Sequence, residues 1–257
     1  MKLDGFRENK LWVVIILALF TTACVSTKKA VYFDGINDTT ISSNSAVPQS
    51  VIQKNDLLSI VVSSLDAKAT EVFNTPNISP TSSNFQGYLV GPDGNIQFPI
   101  LGTIKVSGLT KEQLKEAITK KLIDQKLLTD PIVTIRFINF RVTVLGEVKN
   151  PAVLNVPNEK ISMLEAIGLA GDLTIYAKRD NVLLIREDES GNKEIKRINL
   201  NSTELLSSPY YYLKSNDVIY VEPNKSRVAS AGRGQQWLPA VLSGLSVVVI
   251  ILDRIVK

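Results

Sequence analysis

Apolar and polar positions change rhythm several times along the chain, and each rhythm predicts an element. Leu57-Leu58-Ser59-Ile60-Val61-Val62 is a β-branched apolar run behind the turn pair Asn55-Asp56, which predicts a strand. Tyr88-Leu89-Val90 and Ile96-Gln97-Phe98 flank Gly91-Pro92-Asp93-Gly94-Asn95. Pro presets φ there and Gly supplies φ > 0, so a hairpin is expected. Thr110-Lys111-Glu112-Gln113 is a capping box opening a helix with Leu114, Ile118 and Leu122 on one face. Pro131 ends the connection, and Ile132–Phe137 reads as a strand.

A second unit repeats the mixture. Val142–Val148 runs as a strand into the turn Lys149-Asn150-Pro151, and Ala152–Val156 returns. Ser162-Met163-Leu164-Glu165 is a further capping box, and its helix runs through Ala166, Ile167 and Leu169 to a cap at Gly171. Val182–Ile185 and Glu194–Ile198 are expected to pair across the polar hairpin Glu187–Asn192, and Val218–Val221 closes the unit. Short strands with one helix per unit predict the α+β class. Asn55-Asp56 and Asn216-Asp217 both precede an apolar strand, either as an internal echo or as two ordinary turns that coincide.

Between Gln235 and Leu252 the chain carries 18 residues without a charge, bounded by Arg233, Asp253, Arg254 and Lys257. At ~1.5 Å per residue that is roughly 27 Å of helix, marginal for a bilayer core and adequate for a thin outer membrane. Gln236, Ser243, Ser246 and Asp253 gather on one side, and Trp237, Val241, Leu245, Val248 and Leu252 on the other. Such a division predicts a helix in a ring, the first set facing a pore and the second facing lipid. Ala240 and Gly244 allow close neighbours; the competing reading is a plain anchor with incidental serines.

The opposite end reads as an address. Lys2, Arg7 and Lys10 precede the ten-residue apolar run Leu11–Phe20, too short to span a bilayer and of signal-peptide length. Thr21-Thr22-Ala23-Cys24 then resembles a lipoprotein signal, with cleavage leaving Cys24 as a lipidated first residue; the usual aliphatic residue is replaced by Thr21. The alternative is an uncleaved anchor. No acidic residue follows between Val25 and Ala30, so periplasmic-side retention at the outer membrane is expected. Ser26–Ser50, rich in Ser, Thr and Asn, reads as a tether with order beginning at Val51.

Composition narrows the chemistry. The chain has no histidine and one cysteine, which removes His-based triads, His/Cys metal sites and disulfides. Its 29 basic and 25 acidic residues give a net charge of +4, with no cluster dense enough for nucleic acid. No catalytic residue, metal or cofactor is expected. Enzymatic work would need a carboxylate pair, and Asp93 has no partner that the sequence names.

The string Asn55–Ile60, then Tyr88 to Gly102 with Asp93-Gly94, Pro99 and Gly102, then Val106-Ser107-Gly108-Leu109-Thr110, resembles the polysaccharide export domain of Wza-like outer-membrane proteins. Val144 to Ala152, with Gly146 and Pro151, and the Ser162–Gly171 helix resemble the β-grasp SLBB module that follows it. Asn55 and Asn216 stand where the family often has Gly, and one SLBB module is found where larger members carry two. Residue patterns and resemblance together predict this order: signal peptide 1–23, lipidated tether 24–50, export domain 51–138, SLBB-like module 139–223, linker 224–234 and C-terminal transmembrane helix 235–257. The motif residues Asn55, Asp56, Asp93, Gly94, Pro99, Gly102, Gly146, Pro151 and Gly171 are expected to be structural. The resemblance further implies a homo-oligomeric ring exporting capsular or extracellular polysaccharide, partnered by an inner-membrane co-polymerase or tyrosine kinase. A periplasmic glycan- or ligand-binding lipoprotein with a simple anchor is the rival, and a glycan-modifying enzyme the next.

Overall fold

Alternation at period two builds the first layer. In β1 (Leu57–Ser63), Leu58, Ile60 and Val62 point inward while Val61 and Ser63 face out. A computed structural model describes residues 31–38, 40–41, 49–74, 87–188, 191–230 and 234–255. There β1 lies between β2 (Tyr88–Leu89) and β5 (Ile132–Phe137), antiparallel to both. A short helix, α1 (Ala67–Glu71), follows β1. Its cap is the Asp66 carboxylate, which accepts the Lys68 and Ala69 N–H groups.

The Gly91–Asn95 turn forms, with the Gly94 N–H on Gly91 O and the Gly91 N–H on Asn95 O, each at 2.9 Å. The strands beside it do not make the expected hairpin. Val90 donates its N–H to Asp56 O and its carbonyl accepts the Asn55 N–H, which draws β2 to β1. The hairpin forms one step later, between β3 (Asn95–Phe98) and β4 (Gly102–Lys105). Pro99 opens its turn, and Ile100 and Gly102 adopt φ of 63° and 69°. Helix α2 (Lys111–Asp124) carries both bonds of the Thr110/Gln113 capping box and buries Leu114, Ile118 and Leu122 completely. Each such side chain contributes roughly 1.5–3 kcal/mol by leaving water.

The second layer is a five-stranded sheet in the order β7-β6-β10-β8-β9. Its members are β6 (Arg141–Gly146), β7 (Ala152–Asn155), β8 (Ala177–Glu187), β9 (Lys193–Ile198) and β10 (Val218–Pro223). β6 and β10 run parallel; the other pairs are antiparallel. The last strand in sequence is thus the central one. The edge strand β9 exposes Lys193, Glu194, Lys196 and Arg197, charges that discourage further strand addition. Helix α3 (Met163–Leu169) begins with both bonds of the Ser162/Glu165 capping box, and Gly171 follows it at φ 80°.

The modules share one apolar core. Asn139 ties them at the backbone, accepting the Leu57 N–H at 3.0 Å and donating to Asn55 O at 3.2 Å. Glu159 reaches from the second module to pair with Lys111 and to accept the Phe137 N–H at 2.9 Å.

Within the stretch expected as a tether, Tyr32 lies against the second module. Its hydroxyl donates to Asp172, and its ring lies 5.7 Å from the Arg179 guanidinium carbon. Phe33 donates its N–H to Leu200 O at 3.4 Å. Beyond β10, α4 (Lys225–Ser230) precedes α5 (Gly234–Ile255), a helix of 22 residues with Pro239 inside its first turns. Among the described residues no helix is long and apolar enough to cross a membrane. The expected transmembrane crossing of 235–257 therefore lacks structural support. Within α5, Gln235, Gln236, Pro239, Ser243, Gly244 and Ser246 lie among the apolar residues, and an unbroken apolar run extends from Val247 to Leu252.

Candidate functional site

The two Asn-Asp pairs fold into the same turn. Asn55 and Asn216 take φ of 67° and 66°, the left-handed region that Asn tolerates better than most residues and that Gly would occupy freely. In each turn the aspartate carboxylate accepts a backbone N–H three residues back, Gln53 to Asp56 at 2.7 Å and Lys214 to Asp217 at 2.8 Å. Both aspartates are buried.

Their electrostatics differ. Asp217 holds a two-pronged pair with Arg186, Nε to Oδ1 at 2.9 Å and Nη2 to Oδ2 at 2.6 Å. Asp56 accepts one backbone N–H, from Gln53. Burial therefore dominates and pushes its carboxyl from 3.8 to about 6.

Both turns border a cavity of about 180 Å³ between the modules, lined by Gln53, Asp56, Arg186, Glu194, Lys214 and Ser215 among others. Beside it stands a tyrosine group. The Tyr210 hydroxyl donates to Glu194 Oε1 at 2.5 Å, and Arg186 and Lys196 lie 5.6 and 5.4 Å from its ring centre. Its phenol is raised above the usual range, chiefly by that bond to Glu194. Tyr211 and Tyr212 meet edge to face at 4.9 Å, and Lys160 sits 4.9 Å over Tyr212. A second, larger hollow of about 530 Å³ is bordered by Lys111, Arg136, Glu159 and Lys160. Alternating cations, carboxylates and aromatic faces suit hydrated, hydroxyl-rich or charged ligands more than an enclosed apolar one. No group of His, Cys, Asp and Glu able to hold a metal occurs among the described residues.

Of the expected motif residues, Asp93, Gly94, Pro99 and Gly171 sit in turns or bends, while Gly102 opens β4 and Gly146 ends β6. The Asp93 carboxylate accepts from Asn95, which lowers its pKa, while its carbonyl takes Lys105 Nζ at 2.6 Å. A Cβ on Gly94 would lie 2.6 Å from Lys105 Nζ and Ser107 Cβ, and one on Gly146 would lie 2.1 Å from Val221 O. Pro151 follows the Lys149-Asn150 turn, whose N–H groups donate to Asp172 O and Ala170 O. The tyrosine group is announced in sequence by three consecutive tyrosines. Its partner Arg186 lies mid-strand and carries no such signal.

Cys24 lies outside the described residues, as do the side chains of Gln236, Leu245, Val248, Leu252 and Asp253, although the helix backbone there is described. Trp237, Val241, Ser243 and Ser246 are all exposed in α5, so the structure of one chain brings neither proposed face against a partner. The Ser246 hydroxyl bonds to Leu242 O at 3.0 Å, one turn back in its own helix.

Residues 44–137 match the family described as polysaccharide biosynthesis/export protein, and residues 140–221 match the SLBB domain. Over 145 residues, 55% of this chain, the sequence is 28% identical to an EPS I polysaccharide export outer membrane protein EpsA of Ralstonia solanacearum. It is 36% identical over 90 residues, 34% of the chain, to the protein of the same name from Ralstonia nicotianae. These alignments span 37% and 23% of the two relatives' own lengths. The twin Asn-Asp turns thus mark the first strand of one recognised domain and the last strand of the next, and the chain carries a polysaccharide biosynthesis/export domain followed directly by an SLBB domain.

Proposed function

We propose that the chain is a subunit of an outer-membrane assembly exporting capsular or extracellular polysaccharide, and that it conducts polymer without catalysing a reaction. The observation that carries this is the export domain followed directly by an SLBB domain, in a chain similar over 145 residues to a relative named as a polysaccharide export outer membrane protein. The polar surfaces between and beside the modules support a hydrated path.

The finer parts of the proposal rest on the sequence. Cys24 is lipidated and holds the body on the periplasmic side of the outer membrane. Identical chains form a ring, with an inner-membrane co-polymerase or tyrosine kinase as partner. In a ring, the face of α5 that carries Gln and Ser is covered by neighbours or by water, and only the apolar face meets lipid. Gln236, Ser243, Ser246 and Asp253 then face inward, and Trp237, Val241, Leu245, Val248 and Leu252 outward.

The test is a pair of substitutions two residues apart. An arginine on a lipid face costs about 2.5–3.5 kcal/mol on insertion scales. Val241→Arg is expected to abolish membrane-bound rings in detergent-extracted particles, whereas Ser243→Arg assembles but blocks polymer release from cells. Equal, mild effects at both sites, with monomeric particles, favour the second reading: a periplasmic glycan-binding lipoprotein with a simple anchor.

A further inference from the structure

We propose that loop 171–176 of the second module, with Leu169 just before it, is the surface by which the body rests on a lipid bilayer. This rests on the reading above, in which both chain ends engage the outer membrane. The two ends leave the body at this one loop. Upstream, Tyr32 donates its hydroxyl to Asp172 and covers Arg179, a residue only 6% exposed whose Nε and Nη1 have no hydrogen-bond partner. Cys24 lies eight residues before Tyr32, hence within about 29 Å of it at full extension. Downstream, the Asn224 N–H donates to Tyr176 O at 2.7 Å, and Arg227 lies 5.4 Å from the Tyr176 ring while its Nε donates to Glu147 at 3.0 Å. Four residues after α4 ends at Ser230, α5 begins at Gly234.

Between these two attachments the loop presents bare apolar side chains: Leu169 is 64% exposed and Ile175 75%. They are held in that posture. Thr174 gives its hydroxyl to Glu147 Oε2 at 2.7 Å and its N–H to Glu147 O at 3.0 Å, and Asp172 O accepts the Lys149 N–H at 2.9 Å. Lys149 is exposed beside the loop and suits lipid phosphate. Two attachments on one face turn that face toward the membrane, and a fixed apolar tip there meets the interface between headgroups and acyl chains.

The experiment uses the full lipidated chain in vesicles of phosphatidylethanolamine and phosphatidylglycerol. An environment-sensitive fluorophore is placed by Ile175→Cys, or by Leu169→Cys as a second variant, and brominated lipid is the quencher. Leu65→Cys, on a residue 99% exposed in the first module, and Val247→Cys in α5 serve as references; wild-type protein gives the background from Cys24. The expected result is that probes at 175 and 169 lose most of their emission to brominated lipid while the probe at 65 does not. Quenching at 247 with none at 175 and 169 overturns the loop proposal and leaves membrane engagement by α5 standing. No quenching at any of the three positions 169, 175 and 247 overturns both. A blue shift at 175 without quenching means that a neighbouring subunit covers the loop, and also overturns it.

Discussion

Asp56 and Asp217 occupy the same turn with opposite energetic consequences. Asp56 is buried with its carboxyl raised to about 6. Below about pH 4 folded and unfolded chains both carry the proton; between there and pH 6 the unfolded chain ionises first, so stability falls as pH rises and levels off above 6. The loss at neutral pH is roughly 3 kcal/mol. Asp56→Asn keeps an acceptor for the Gln53 N–H, so denaturant titrations are expected to find it more stable than wild type at pH 7, with the advantage vanishing near pH 4. Asp217→Asn strands the Arg186 guanidinium, whose side chain is 11% exposed, and is expected to cost about 3–5 kcal/mol. Equal effects of the two changes would contradict this division. The sequence displays both Asn-Asp pairs, but the cation that separates them arrives from β8, some thirty residues away, and no local pattern encodes it.

Local pattern was most informative where an element's reason is contained in the element. The two capping boxes, the Leu114, Ile118 and Leu122 stripe and the Ile132–Phe137 strand stand as expected, because each is fixed by its own residues. Pairing is not local. The expected hairpin around Asp93-Gly94 moved to β3 and β4 because Val90 had a stronger claim from Asn55 and Asp56, and the central place of β10 follows from a parallel partner far upstream. The short α1 was missed although its Asp66 cap is visible, since five residues carry no periodicity. Gly146 shows how pairing fixes a single position. At φ 90°, with Val221 O where its Cβ would be, Gly146→Ala is expected to lower stability by about 2–4 kcal/mol through strain and overpacking. Gly102→Ala, at φ 69° in open space, loses only about 1–2 kcal/mol. Thermal melts of the two variants check the order.

At the scale of the molecule, the shared core and the Asn139 and Glu159 links make the two modules one folding unit. A fragment covering 31–230 is expected to unfold in a single calorimetric transition with equal calorimetric and van't Hoff enthalpies; two separated transitions would show that the modules fold independently. The α+β mixture and the succession of an export domain and an SLBB domain were legible in the sequence. The docking of Tyr32 was not, because one aromatic in a polar stretch has no pattern to announce the acid and arginine it meets. The parallel pairing of β6 with β10 has a mechanical consequence. The first module is attached at the start of β6 and α5 beyond the end of β10, so tension between them pulls the neighbouring strands past each other lengthwise. The ladder from Thr143 and Val218 to Gly146 and Val221 is then loaded in shear, all its bonds resisting together, rather than unzipped one by one. Forced unfolding reports the barrier to leaving the native state. Pulling through residues 140 and 224 is therefore expected to require a higher rupture force than pulling through 182 and 198, the open end of the β8–β9 hairpin, which peels β9 from the edge.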